Sequence, residues 1–522
     1  MQRRALLASP FLALPTGVAL AQPNRPLTVG MAGIPTGMDP HFHSTNNNNA
    51  LLGQIFETLV LMHTDGSLRP RLAESWRVVD DLTWEFKLRS GVRFHDGTPF
   101  EPEDIAFSFE RVPQVPNSPG PFTPMVRSVR RVEVVDPVTV RFHTSAPTPF
   151  FPRDIIAIHI LSRRIHANAT LADFNAGRGM IGTGPYKFVS YAQGERLEVE
   201  RNPDYWGEPA PWPRAVFRFL TNAGARSAAL LAGDVDLIDN VPFQDIPRFN
   251  NDPRIALFSV DSVTTSYIMP DTVREPAPHM FNRAGQPLER NPLRDVRVRQ
   301  ALSLAIPRQG IVERLFQGQG RPANQFAAPS LPDRVPDLPE MAYDVNRARA
   351  LLREAGWGEG FRLNIHGPNG WIPGDADLLQ AVAQGWTRAG IETRVEVLPP
   401  ANFYSRATAR EFSVIFATFT TSTAANMMRQ VAMTRDPATG VGPFNRLLYS
   451  NAEVDRPLEE ALRTMDEARR TALTQQAMRA LTADLGIIPV HYLRNNWAGL
   501  RNRVRYDPSP LFYTNAILAT PA

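Results

Sequence analysis

Residues 344–397 read DVNRARALLREAGWGEGFRLNIHGPNGWIPGDADLLQAVAQGWTRAGIETRVEV. Asp344 can cap a helix that carries Ala348, Leu351, Leu352 and Ala355 on one face, and Gly356 can stop it. Phe361 to Ile365 reads as a strand. Asp375 or Asp377 can start a second helix, where Leu378, Val382 and Trp386 recur every fourth residue and Gly390 ends the run. Ile391 to Val397 reads as a second strand. Helix, strand, helix, strand with short connections predicts a mainly parallel sheet with helices on its faces.

The same α/β alternation extends outward. Upstream, Asp295 can cap a helix with Val298, Ala301, Leu302 and Ala305 inward, ended or kinked by Pro307. Downstream, Leu458, Leu462, Met465, Leu473, Ala477, Leu481 and Leu485 predict one long helix, with Glu459–Arg463 and Asp466–Arg470 as i,i+4 pairs on its other face. Ile487 to Tyr492 follows as a strand. Near the N-terminus, Leu27 to Met31 reads as a strand, Asp39 to Asn49 as a polar loop, and Ala50 to Val60 as a helix. A β-rich stretch comes next. Trp84, Phe86 and Leu88 alternate with polar residues, and hairpins are expected at Val132–Phe142 and Tyr186–Val199. Pro102, followed by Glu103 and Asp104, suits a helix start. No internal repeat or charge block interrupts the chain.

Met1 to Ala21, MQRRALLASPFLALPTGVALA, has the layout of a secretory leader: a basic start at Arg3 and Arg4, an apolar run, and a small-residue site at Ala19-Leu20-Ala21. The paired arginines also admit a twin-arginine route. Without Arg3 and Arg4 the formal charge falls from +4 to +2, which gives no electrostatic footprint for nucleic acid. The absence of cysteine excludes disulfides, thiol catalysis, cysteine-based metal sites and a lipid-anchored cysteine at the cleavage site. A periplasmic, exported chain of more than one domain is expected.

Four segments carry a resemblance. They are RPRLAESWRVVDDLTWEFKLRSGVRFHDGTPFEPEDIAFSFERV from Arg69 to Val112 and GTGPYKFVSYAQGERLEVERNPDYWG from Gly182 to Gly207. The others are Leu293 to Pro329, with DVRVRQALSLAI and GQGRPA, and YDVNRARALLREAG from Tyr343 to Gly356. In order and content they resemble the extracytoplasmic solute-binding proteins, family 5, of peptide- and nickel-type ABC importers. The resemblance implies a two-lobed, class II periplasmic-binding-protein fold of α/β class with an extra inserted domain and a ligand cleft between the lobes. It implies lobe I from 22–58, 181–260 and 486–522, an inserted domain at 59–180, and lobe II at 261–485. It also implies a monomer that delivers a peptide or peptide-like solute to ABC permease subunits in the cytoplasmic membrane, with no cofactor and no catalysis. Trp84, Phe94, Tyr205 and Trp206 are assigned to packing.

The resemblance also suggests site residues. Peptide-binding relatives have a stretch like GWTGD after a strand of lobe II, and its aspartate holds the peptide's amino terminus. Here Phe412 to Phe416 leads into Ala417-Thr418-Phe419-Thr420-Thr421-Ser422. Phe419 falls at the tryptophan and Ser422 at the aspartate, with Thr420 between them. A serine offers only a neutral hydroxyl to an ammonium group, so either another acid replaces the aspartate or the ligand presents no free amino terminus. Trp371 stands where relatives often have a cleft tyrosine, although a surface aromatic is an equal expectation. Phe42 and His43 follow the first strand, at a cleft-lining position of such folds, and Tyr267 follows the crossover into lobe II. His41 and His43 could share a metal, but no nearby acid or cysteine completes a ligand set. Two rival readings remain: a ligand-binding sensor module for a membrane receptor, which needs the same cleft, and an exported hydrolase. None of H-E-x-x-H, G-x-S-x-G or G-x-x-x-x-G-K-[ST] occurs.

Overall fold

The computed structural model describes residues 25–522, and the expected leader at 1–21 lies outside the described residues. One twelve-stranded sheet organises the chain. Its first half holds Leu27–Met31, Leu237–Asp239, Arg214–Phe219, Arg196–Arg201 and Tyr186–Ala192. Its second half holds Val414–Thr420, Phe361–Pro368, Ile391–Leu398 and Met280–Phe281. Two long antiparallel strands, Ile255–Pro270 and Ile488–Leu500, join the halves. Ile255 to Asp261 pairs with Leu500 to Arg494, and Thr265 to Ile268 pairs with Tyr492 to Ile488. Between Asp261 and Thr265 the register shifts and the ladder is interrupted.

The opening stretch folds as its pattern predicts. Asp344 caps Val345–Glu354, its carboxylate accepting the Arg347 N–H at 2.8 Å. Phe361–Pro368 and Ile391–Leu398 pair in parallel, with Asp375–Ala389 between them. Trp386 is fully buried and donates its indole N–H to Leu302 O at 2.9 Å, which ties that helix to Val296–Leu304. The sheet as a whole is mixed, because the two joining strands pair antiparallel with their neighbours.

A separate four-stranded antiparallel sheet, Ala73–Asp80, Thr83–Leu88, Thr139–Thr144 and Val129–Asp136, lies between the first strand and the Tyr186 hairpin in chain order. Pro102–Arg111 packs on it, and Phe86, Phe142 and Phe151 fill its core. Trp84 and Phe94 are buried there. Tyr205 and Trp206 donate to the buried Glu57 carboxylate at 2.8 and 2.9 Å, beside Arg71 at 3.0 Å, so their polar ends serve an ion pair as well as packing.

Two helices differ from expectation. The first runs over Asn46–Leu52, because Thr45 caps it and Gly53 ends it; Ile55, Phe56 and Leu59 are core residues outside it. The expected long helix is two, Ala452–Ala461 and Glu467–Asp484, the second started by Asp466, whose carboxylate accepts the Arg469 N–H. Arg470 therefore does not pair with Asp466. It donates to Thr464 O and Met465 O and stacks 5.1 Å from the Phe150 ring.

Candidate functional site

A cavity of about 530 Å³ lies where the two halves of the sheet meet, against the joining strands. The first half contributes Asn46, Asn240, Val241 and Phe512. The joining strands contribute Thr264 and Leu493 to Asn496, and the second half contributes Trp371, Tyr404, Phe419, Phe444 and Arg446.

Each wall has a local cause. Phe419 and Thr420 end the strand Val414–Thr420 at the interrupted ladder, where Thr420 Oγ1 lies 2.8 Å from Thr264 Oγ1. Trp371 sits on a loop held by Asp375, whose carboxylate accepts the N–H groups of Gly370, Trp371, Ile372 and Ala376 at 2.8–3.3 Å. The Trp371 indole N–H donates to Thr418 Oγ1 at 3.0 Å, and its ring meets Tyr404 edge-on at 5.3 Å. It stays 52% exposed, so its face is free. Asn445, fully buried, clamps the opposite loop: its amide donates to Met433 O and Tyr449 O and accepts the Tyr449 N–H, at 2.7–2.9 Å. That clamp presents Phe444, 5.5 Å from Phe419, and Arg446, whose guanidinium lies 5.0 Å from the Tyr404 ring and 5.3 Å from the Phe444 ring.

The electrostatics lean one way. No aspartate or glutamate is among the lining residues, whereas two arginines are. Arg494 lies 3.5 Å from Asp261, which also pairs with Arg321 at 2.8 Å. Arg446 has no ion pair among the described residues, and its buried Nε has no hydrogen-bond partner. The Asn496 and Gln319 side-chain oxygens, also lining the cavity, are buried without partners. His491 adds no charge: burial lowers its pKa to about 3, and its Nδ1 is 2.6 Å from Ser266 Oγ.

Of the residues expected from the sequence, Trp371, Phe419 and Thr420 come together at this cavity. The others do not line it. Ser422 is half-buried in the turn before Ala424–Val431. The acid nearest that turn, Asp333, is spent on the helix start: its two oxygens accept the Ala424 and Ala425 N–H groups at 2.7 and 2.9 Å. Tyr267 is 1% exposed and packs edge-on against Phe326 at 4.9 Å, inside the core. Phe42 and His43 lie where the first loop bridges to Gly120, and His43 Nδ1 is 2.9 Å from Thr36 Oγ1. His41 is buried with both ring nitrogens engaged, near His159 O at 2.8 Å and Arg111 at 3.2 Å, and burial lowers its pKa to about 4. Phe444, Arg446 and Tyr404 were not singled out from the sequence; the adjoining aromatic and arginine in Phe444-Asn445-Arg446 were the available signal.

Comparison with known proteins agrees with this architecture. Residues 67–437 match the family described as "Bacterial extracellular solute-binding proteins, family 5 Middle". The heme-binding protein A of Haemophilus influenzae is 27% identical, over 89% of this chain and 86% of its own length. The di/tripeptide-binding protein 1 of Pseudomonas aeruginosa is 26% identical, over 94% of each. Among solved structures, HbpA2 of Haemophilus parasuis superposes with a TM-score of 0.80 at 24% identity, over 95% of this chain and all of that one. The periplasmic binding protein DppA of Helicobacter pylori, in complex with a peptide, gives 0.76 at 21% identity, over 95% and 98%. These structural likenesses show the two-lobed fold, and the match over residues 67–437 shows the lineage: the chain belongs to the bacterial extracellular solute-binding proteins, family 5.

Proposed function

We propose that this protein captures a small solute, peptide-like or otherwise, in the cavity between its lobes and delivers it to the permease of an ABC importer. The observation that carries this reading is the cavity itself. It is walled by both halves of the sheet at the joining strands, with aromatic side chains and two arginines among its lining residues. Clefts at domain interfaces with few placed polar groups are the usual form of a ligand site, and two lobes joined by a pair of strands can close by a hinge. Relatives named for heme, di- and tripeptides and glutathione support a transported small molecule.

We divide the chain as the family pattern suggests, with one adjustment. The inserted domain is 59–180 and lobe II begins after 260. The return to lobe I comes at Leu493 rather than at 486, because Ile488 to Tyr492 still pairs with the lobe II part of its neighbour. The chain is exported by the leader at 1–21 and acts in the periplasm as a monomer without catalytic activity.

The test is native mass spectrometry of protein purified gently from an exported fraction, followed by release of whatever it holds. A one-to-one complex with a small molecule is expected, since a closed cleft releases slowly. A protein that binds no small molecule from the native fraction, and none from a metabolite library by calorimetry, would contradict the reading.

A further inference from the structure

The charge of the cavity narrows the solute. Resting on the solute-capture reading above, we infer that the cleft selects a carboxylate-bearing solute with a flat apolar body and no ammonium group, and that Arg446 is the group that holds the carboxylate.

Three observations converge on this assignment. First, the Arg446 guanidinium lies over the Tyr404 and Phe444 rings, at 5.0 and 5.3 Å. A guanidinium placed over aromatic rings keeps N–H donors that can match a carboxylate by two parallel hydrogen bonds. No protein carboxylate pairs with Arg446 among the described residues, so its charge is left for an anion in the cavity it lines. Second, the loop is fixed in advance: the three Asn445 hydrogen bonds hold the chain on either side of Arg446 without touching the guanidinium.

Third, the acids that could receive an ammonium are spent elsewhere. Asp333 caps Ala424–Val431, Asp375 holds the Trp371 loop, and Asp261 lies between Arg321 and Arg494. Asp239, in the adjoining small cavity, accepts the Ala32 N–H at 2.7 Å and the Thr514 hydroxyl at 3.1 Å. An ammonium entering the cavity would meet two guanidinium groups and no free carboxylate. The aromatic side chains that line the cavity, Trp371, Phe419 and Phe444 among them, suit a flat apolar body.

The test uses three probes with one body: N-acetyl-diphenylalanine as the free acid, the same compound as its C-terminal amide, and diphenylalanine amide with a free amino group. Binding is read by calorimetry on the full chain. The acid should bind at least about tenfold more tightly than the neutral amide, and the cationic amide most weakly, the scale of one charge-assisted pair. Arg446→Gln should abolish the preference of acid over amide, so that the acid and its neutral amide bind alike. Arg446→Lys, which keeps the charge but loses the planar fork, should retain only part of it. Circular dichroism melts of both variants confirm that they fold. Equal or tighter binding of the cationic amide would leave solute capture standing and overturn the carboxylate assignment. A preference for the acid that survives Arg446→Gln, or no binding of the acid, also overturns it. The mass-spectrometric test of solute capture is independent of these probes, so the two readings fail separately.

Discussion

Phe419 shows what a single side chain can contribute here. It ends a strand at the cavity, faces Phe444 at 5.5 Å, and is only partly buried by the protein. Phe419→Ala is expected to weaken solute binding by about 1–3 kcal/mol, as for an aromatic anchor, with little change in melting temperature; calorimetry with the native solute checks both halves. Asn445 acts differently, through the backbone. Asn445→Ala leaves Met433 O, Tyr449 O and the Tyr449 N–H without their buried partner and should cost about 1–3 kcal/mol of stability, read from denaturant unfolding. At this scale the sequence was legible where a side chain sits at the end of a recognisable strand, as Phe419 and Thr420 do. It was not legible at Tyr267, whose strand is buried on both faces from Ser262 to Pro270 and carries no alternation to say which side turns to the cleft. Arg446 was illegible for another reason: its position depends on a loop clamp, and loops carry no periodicity.

Among the elements, capping residues decide the outcome. Asp344 and Asp295 each start the helix expected of them. Thr45 shifted the first helix toward the N-terminus, because a hydroxyl that accepts the Asn48 N–H outweighs the low helix preference of four asparagines. Asp466 likewise broke one apolar stripe into two helices, since a stripe that continues across a turn looks the same in sequence as an unbroken one. Asp375 carries the clearest prediction at this scale. It is the first residue of Asp375–Ala389 and holds the preceding loop by three backbone N–H groups, with a fourth bond to Ala376 in the helix. Asp375→Ala should lower stability by about 1–2 kcal/mol, the scale of hydrogen bonds lost from a buried charged group. It should also loosen Trp371, so that solute affinity falls together with the ligand-induced change in tryptophan fluorescence. A thermal melt and a fluorescence titration test the two effects separately.

For the molecule as a whole, local pattern gave the α/β alternation and the resemblance gave the two-lobed plan, but the joining strands were hidden. Ile255–Pro270 and Ile488–Leu500 are far apart in sequence, and no local signal announces a pairing at that distance. Segments distant in the chain also meet away from the sheet. Phe150 packs on the core cluster around Tyr267 and Phe326, and Asp154 nearby is pushed up to about 7 by burial, with Arg429 pulling the other way. An aspartate raised in the folded state binds its proton there more readily than in the unfolded chain. Its contribution to stability is therefore most favourable below the ordinary value of 3.8 and declines as pH rises to about 7. Asp154→Asn should flatten that decline, seen as a smaller drop in melting temperature across this range than in the unaltered protein. The interrupted ladder between Asp261 and Thr265 has a consequence for affinity itself. Bending there breaks few hydrogen bonds, and in the proposed hinge motion an unoccupied molecule would be shut for a fraction of the time. Apparent affinity is the intrinsic value scaled by that fraction of time. Substitutions at Ser262 to Thr264 that favour one shape would therefore raise or lower affinity for every solute alike, leaving the ranking among solutes to the cavity walls.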